Sequence, residues 1–233
     1  MSLKTDVIPY LDKFGMVVSN ASGRSDNGVM FTSEYLILLA MNGELQPEDK
    51  ADYLAKMRRC LINGELLMRD PENDGAQQEG PDDYLGLLAG CKVAGDTSIP
   101  RAILWYGLRH LGAFNNVTPG KWTVQSFLWR QPQLITHALF AARLPVGPFR
   151  AFFVLSLLFA VYQNETRGNT DARRLGWLLI QTWDGKGLLS RWAVGVWKRW
   201  LFSKYPDGMI GVCRIYYGEA HPFTEYVPDF HSP

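Results

Sequence analysis

The feature that most constrains this chain is a short apolar phrase that returns. Tyr35-Leu36-Ile37-Leu38-Leu39-Ala40 is echoed by Tyr84-Leu85-Gly86-Leu87-Leu88-Ala89. The two tyrosines lie 49 residues apart (84 minus 35), and acids precede both, Glu34 in one case and Asp82 and Asp83 in the other. A further step of that size lands on Leu134, within the segment from Gln131 to Ala141 that also holds His137. A looser copy opens at Asp171 and runs to Ile180. Self-similarity near a fixed period predicts one supersecondary unit used several times.

Each copy reads as the start of an apolar helix. Thr32, Ser33, Asp82 and Asp171 suit an N-cap or first turn, where side-chain oxygens meet free backbone N–H groups and the positive end of the helix dipole. Pro81 and Pro132 sit where helix starts tolerate proline. Between the copies lie segments with apolar residues at helical spacing: Pro47 to Met68, Pro100 to Leu111, Phe149 to Tyr162 and Leu188 to Phe202. Gly43, Gly95 and Gly185 fall where these helices should stop.

The pattern predicts a mainly α fold. About four helical hairpins form an incomplete α/α toroid or a solenoid over residues 1–204, after an N-terminal helix near Val7 to Val17. The tail, 205–233, contains the β-prone run from Ile210 to Tyr217 and then Pro222, Pro228 and Pro233. It is expected to be extended and packed on the helices. No composition shift marks a boundary, so 1–233 reads as one domain.

With 47% apolar and 20% charged residues, the chain is expected to fold rather than stay disordered. A net charge of +1 gives no strong nucleic-acid signal. The longest apolar run, Ala151 to Tyr162, rises about 18 Å as a helix, short of the roughly 30 Å of a bilayer core. It predicts a fully buried core helix and no transmembrane segment. Cys60, Cys91 and Cys213 form no C-x-x-C pair, and no signal peptide opens the sequence, so a cytoplasmic location is expected. Nucleotide-binding, zinc-protease and serine-hydrolase motifs are absent, and no residue pattern implies a cofactor or a bound metal. Asp70-Pro71-Glu72-Asn73-Asp74-Gly75 begins like a calcium loop, but Pro81 stands where the bidentate glutamate belongs.

The hairpin period and the acids opening apolar inner helices resemble the α/α-toroid carbohydrate-active enzymes, over roughly residues 20–204. The resemblance implies a glycoside hydrolase or polysaccharide lyase, with a polysaccharide or oligosaccharide as ligand at the N-terminal ends of the inner helices. Glycoside hydrolysis needs two carboxylates flanking the scissile bond. The implied pair takes one acid from Asp26 or Glu34 and one from Asp82 or Asp83. Tyr35, Tyr84 and Trp129 are the implied sugar platforms. A lyase would draw its base and charge-neutralising group from Arg130, His137, Asn27 and Tyr84.

Other readings of the same residues stand beside these. Asp82, Asp83 and Glu34 suit helix caps, Tyr35 and Tyr84 suit shared packing, and His137 suits a hydrogen-bonded core histidine. The whole chain also suits a non-catalytic helical scaffold for a protein partner or for self-association. Residues 186–204, with Trp192, Trp197, Trp200 and flanking cations, suit a membrane surface, a partner or nucleic acid, or else a helix that packs its Trp face in the core and solvates its cations.

Overall fold

A computed structural model describes residues 2–18, 27–68, 71, 81–110, 131–167, 171–204 and 221–226. The fold is mainly helical. A short helix α1 (Leu3–Asp6) is followed by α2 (Gly28–Met41), α3 (Pro47–Arg59), α4 (Pro81–Ala94), α5 (Ser98–Arg109), α6 (Gln131–Ala141), α7 (Arg150–Arg167), α8 (Asp171–Thr182), α9 (Leu188–Lys204) and α10 (Pro222–Tyr226).

Helices that are apolar all round end up buried all round. In α2 every residue from Gly28 to Glu34 and from Leu36 to Leu39 is buried, and in α4 so is every residue from Asp83 to Cys91. The flanking α3 is charged, and among its residues only Tyr53 and Met57 are buried. The repeated phrase thus marks the interior, and the amphipathic segments cover it.

Glycines set how closely the interior helices approach. A Cβ at Gly86 of α4 would lie 2.9 Å from Met30 Cα of α2, and one at Gly90 would lie 3.2 Å from Ser33 Cβ. Both contact points advance in the same chain direction, so α2 and α4 run parallel. Helices α4 and α8 meet near their C-terminal ends, where Lys92 Nζ donates to Gln181 O at 3.0 Å and to Trp183 O. Lys92 thereby supplies a cation to the carbonyl end of α8. Helix α4 packs on α2, α6 and α8 together. In an open solenoid each unit touches only its neighbours. The contact between α4 and α8 joins helices with three others between them in the chain, which an open solenoid does not do.

Several sequence expectations are corrected. The N-terminal helix near Val7 to Val17 is absent. Residues Ile8–Tyr10 form one 3-10 turn, and Leu11 and Val17 then pair as an antiparallel bridge. Asp12 closes that loop by accepting from the N–H groups of Phe14 and Met16, both at 2.8 Å. The helix expected from Pro47 to Met68 stops at Arg59. Strands β1 (Leu61–Ile62) and β2 (Leu66–Leu67) follow, joined through Asn63 and Gly64 at φ 53° and 75°. Those two left-handed residues are what a tight hairpin turn needs.

The run from Ala151 to Tyr162 is one-sided rather than fully buried. Phe153, Val154, Leu157 and Ala160 face the core, while Leu155 and Tyr162 are exposed. Among the described residues no helix is long and apolar enough to cross a membrane. Of the tail, only 221–226 is described, and it is helical rather than extended. It docks on the start of the chain: Tyr226 Oη donates to Asp6 Oδ2 at 2.6 Å, and Asn42 Nδ2 donates to Tyr226 O at 2.7 Å. The run from Ile210 to Tyr217 lies outside the described residues, as does the acidic loop from Asp70 to Gly75 apart from Pro71.

Candidate functional site

The sequence places its candidates at the N-terminal ends of α2, α4, α6 and α8. Parallel packing brings the starts of α2 and α4 together. Gly86 meets Met30, and one turn earlier on each helix stand Asp82 and Asp83 on α4 and Asn27 on α2. Asp26, Trp129 and Arg130 lie outside the described residues.

Asp82 and Asp83 both occupy the first turn of α4, where a carboxylate meets unpaired backbone N–H groups. Their surroundings differ. Asp83 is 0% exposed, whereas Asp82 is partly open to solvent. Asn27 is the N-cap of α2, yet its side chain makes no capping hydrogen bond there.

Glu34 and Tyr35 do not match Asp83 and Tyr84 in position. Glu34 is the seventh residue of α2, and Asp83 is the third of α4. Sequence matching of the two phrases thus runs one turn out of step with the helix starts. Glu34 is buried inside the bundle rather than at its mouth. Tyr35 is half-buried. Its phenol is pushed up to about 12, first by burial and then by the carboxylates of Asp49, Glu44 and Asp52. Those three acids belong to α3 and the turn before it, so Tyr35 faces the covering layer.

Tyr84 is fully buried, and its hydroxyl accepts from Leu67 N at 3.3 Å, anchoring β2 to α4. Stacking on a sugar needs an open ring face. Tyr84 offers none in this conformation, so its sugar-platform role does not fit.

His137 lies inside α6 against Phe140 and Phe153, with ring centroids 6.3 and 6.0 Å away. Its Nδ1 donates to Gln133 O at 2.6 Å, because a carbonyl only accepts. The other nitrogen, Nε2, is then a bare acceptor, with no hydrogen-bond partner among the described residues. Burial pulls the imidazole down to about 4, against the opposing effect of the Gln133 carbonyl. The ring is neutral at pH 7, so it does not supply the positive charge of a lyase.

Sequence reasoning missed a buried polar knot behind this end. Tyr53 Oη reaches from α3 over Gly90. It lies 2.9 Å from Ser33 Oγ and donates to Leu87 O at 3.2 Å. The signal was present: Tyr53 lies on the apolar side of α3, and glycine interrupts the apolar phrase at Gly90. Burial raises the phenol of Tyr53 well above its ordinary range and lifts the Cys91 thiol beside it, so both stay protonated at neutral pH. No group of three or more metal-ligating side chains occurs among the described residues.

No protein-family profile, curated protein or solved structure matches this chain. The functional reading therefore rests on the geometry alone.

Proposed function

We propose that this chain is a carbohydrate-active enzyme, a glycoside hydrolase or polysaccharide lyase, working where α2 and α4 begin. One observation carries the reading. Two adjacent carboxylates, Asp82 and Asp83, open a fully apolar helix beside the start of a parallel neighbour, one buried and the other reachable from solvent. Carboxylates in unlike surroundings divide the acid and base tasks of glycosyl transfer. In this reading Asp82 meets substrate, Asp83 holds the local field, and Asp26 supplies the opposing acid, since Glu34 lies inside the bundle. Asn27, Trp129 and Arg130 are the substrate-binding residues of this reading, Tyr35 being turned towards the covering helix α3. His137 acts as a neutral acceptor if it takes part. The helix pairs are read as an incomplete α/α toroid within one domain.

The test is a screen of the full chain against neutral and uronic-acid polysaccharides. New reducing ends report hydrolysis, and ultraviolet absorbance of an unsaturated product reports elimination. Asp82→Asn is expected to lower kcat by roughly 100-fold or more at unchanged melting temperature. Full activity in Asp82→Asn and Asp83→Asn together removes both residues from the mechanism.

A second reading, a non-catalytic scaffold binding a protein, is favoured by Trp105, which is 62% exposed on α5 beside an exposed Leu108. Exposed large apolar side chains in one place mark interaction surfaces. Under this reading Trp105→Ala abolishes capture of the partner and leaves the fold intact.

A further inference from the structure

Helix α9 carries two apolar faces, and only one belongs to the core. Ser190, Ala193, Val194, Trp197 and Leu201 are buried, at the spacing of a single helix face. At 3.6 residues per turn, Leu188, Trp192 and Arg199 fall on the opposite face, with Arg191 beside them. Leu188 is 81% exposed, Leu189 57% and Trp192 51%. A Cβ on Gly195, in the middle of this outer face, would meet only Arg199 Nη2 at 3.8 Å. Among the described residues, no core contact covers these apolar side chains.

Charge distinguishes this face from ordinary exposed leucines. Residues 186–204 hold Lys186, Arg191, Lys198, Arg199 and Lys204, and no acid. Two acids beside it among the described residues, Asp184 and Glu165, are already engaged. Asp184 Oδ2 accepts from Arg150 Nη2 at 2.9 Å. Glu165 accepts from Trp200 Nε1 at 2.6 Å and pairs with Lys204 at 3.1 Å. These two links also show that α7 and α9 run side by side in the same direction. Leu155 of α7, itself exposed, therefore comes level with Trp192.

We propose that this α9 face is a docking surface for an anionic phospholipid membrane. It lies on the bilayer rather than spanning it. Leu188, Leu189 and Trp192 enter the boundary between headgroups and acyl chains, while Lys186, Arg191 and Arg199 meet lipid phosphates and carboxylates. An indole with an apolar body and a polar N–H suits that boundary, and long cationic side chains reach back to the headgroups. The attraction of such cations to an anionic surface fades with salt. The occupant follows from complementarity: Lys186, Arg191 and Arg199, with no ion pair among the described residues, rim exposed leucine and tryptophan and match an apolar layer edged with negative charge.

The test is co-sedimentation of the full chain with vesicles of phosphatidylcholine alone, and with about one-third phosphatidylserine added. The proposal predicts salt-sensitive binding to the anionic vesicles only. Leu188→Ser with Leu189→Ser, and separately Arg191→Glu with Arg199→Glu, should each lower partitioning about tenfold or more at unchanged melting temperature. Using both pairs keeps the test decisive if one of them unfolds. Three results would overturn the proposal. One is no binding by the native chain. Another is equal binding to both vesicle types that neither pair alters. The last is a dimer in solution that the leucine pair disperses while vesicles go unbound, which would assign the face to a second copy.

Discussion

Two joints in this molecule solve one packing problem with different chemistry. On the N-terminal side, Tyr53 of α3 lies over Gly90 of α4. On the C-terminal side, Trp197 of α9 lies over Gly176 of α8. In both, a Cβ on the glycine would overlap the aromatic side chain. Each pairs an interior helix with a covering one and gains a close approach from a missing side chain. The difference is polar. The Tyr53 hydroxyl meets Ser33 and the Leu87 carbonyl, so it ties α2, α3 and α4 together. The Trp197 N–H finds no acceptor among the described residues. The first joint is held by hydrogen bonds as well as packing. The second rests on packing, and the indole N–H subtracts from it.

The largest expected effect is at the packing-only joint. Trp197→Ala should cost about 3–5 kcal/mol in denaturant unfolding, as deletion of a buried aromatic generally does. A loss well under that figure would mean α8 and α9 close over the gap.

Acid should weaken the C-terminal half next. His137 is held near 4 by burial, against 6.5 for an ordinary imidazole. Below pH 6.5 the unfolded chain takes up a proton that the folded chain refuses. Stability is thus lost as pH falls from 6.5 towards 4, and this contribution levels off below 4. The gap corresponds to about 3 kcal/mol. Comparing unfolding free energies of native chain and His137→Leu across that range isolates it, since other titrating groups cancel. Parallel profiles would show that His137 is not excluded from protonation.

The glycines come third. Gly90→Ala and Gly176→Ala should each lose about 1–3 kcal/mol by overpacking, less the gain of up to about 1 kcal/mol from better helix propensity. The smallest effect separates the two joints. Tyr53→Phe should cost about 1 kcal/mol, because Ser33 keeps its bond to Val29 O and only the phenol's bonds go. If Tyr53→Phe costs nothing, the hydrogen bonds of the first joint add no stability and the comparison collapses.

The sequence made the helices legible because burial on all sides and burial on one side leave different apolar patterns. Helices α2 and α4 read as interior and α3 as covering. Gly43, Gly95 and Gly185 do adopt positive φ at the joints, 72°, 83° and 74°. The hairpin at Leu61–Leu67 was overlooked although Asn63-Gly64 announces it, since Leu61 and Leu66 also fit helical spacing. Residues 186–204 allowed either a surface or a core helix, and which leucines and tryptophans are exposed could not be read off, because an exposed leucine and a buried one are identical in sequence. The site was legible only in part. Asp82 and Asp83 do open a helix beside its neighbour. Glu34 and Tyr35, aligned to them by phrase, sit about two turns deeper, because the phrase matched in letters but not in helix register. No pattern of spacing reveals that offset; only the contact between Met30 and Gly86 does.

The most direct test of the enzyme reading is an experimental structure with an oligosaccharide soaked into the full chain. The account predicts a sugar ring at the start of α4, with Asp82 or Asp83 within hydrogen-bond reach of a glycosidic oxygen and a second carboxylate about 5 to 10 Å across the bond. A sugar bound elsewhere, or none with that end of the bundle closed over, would contradict it.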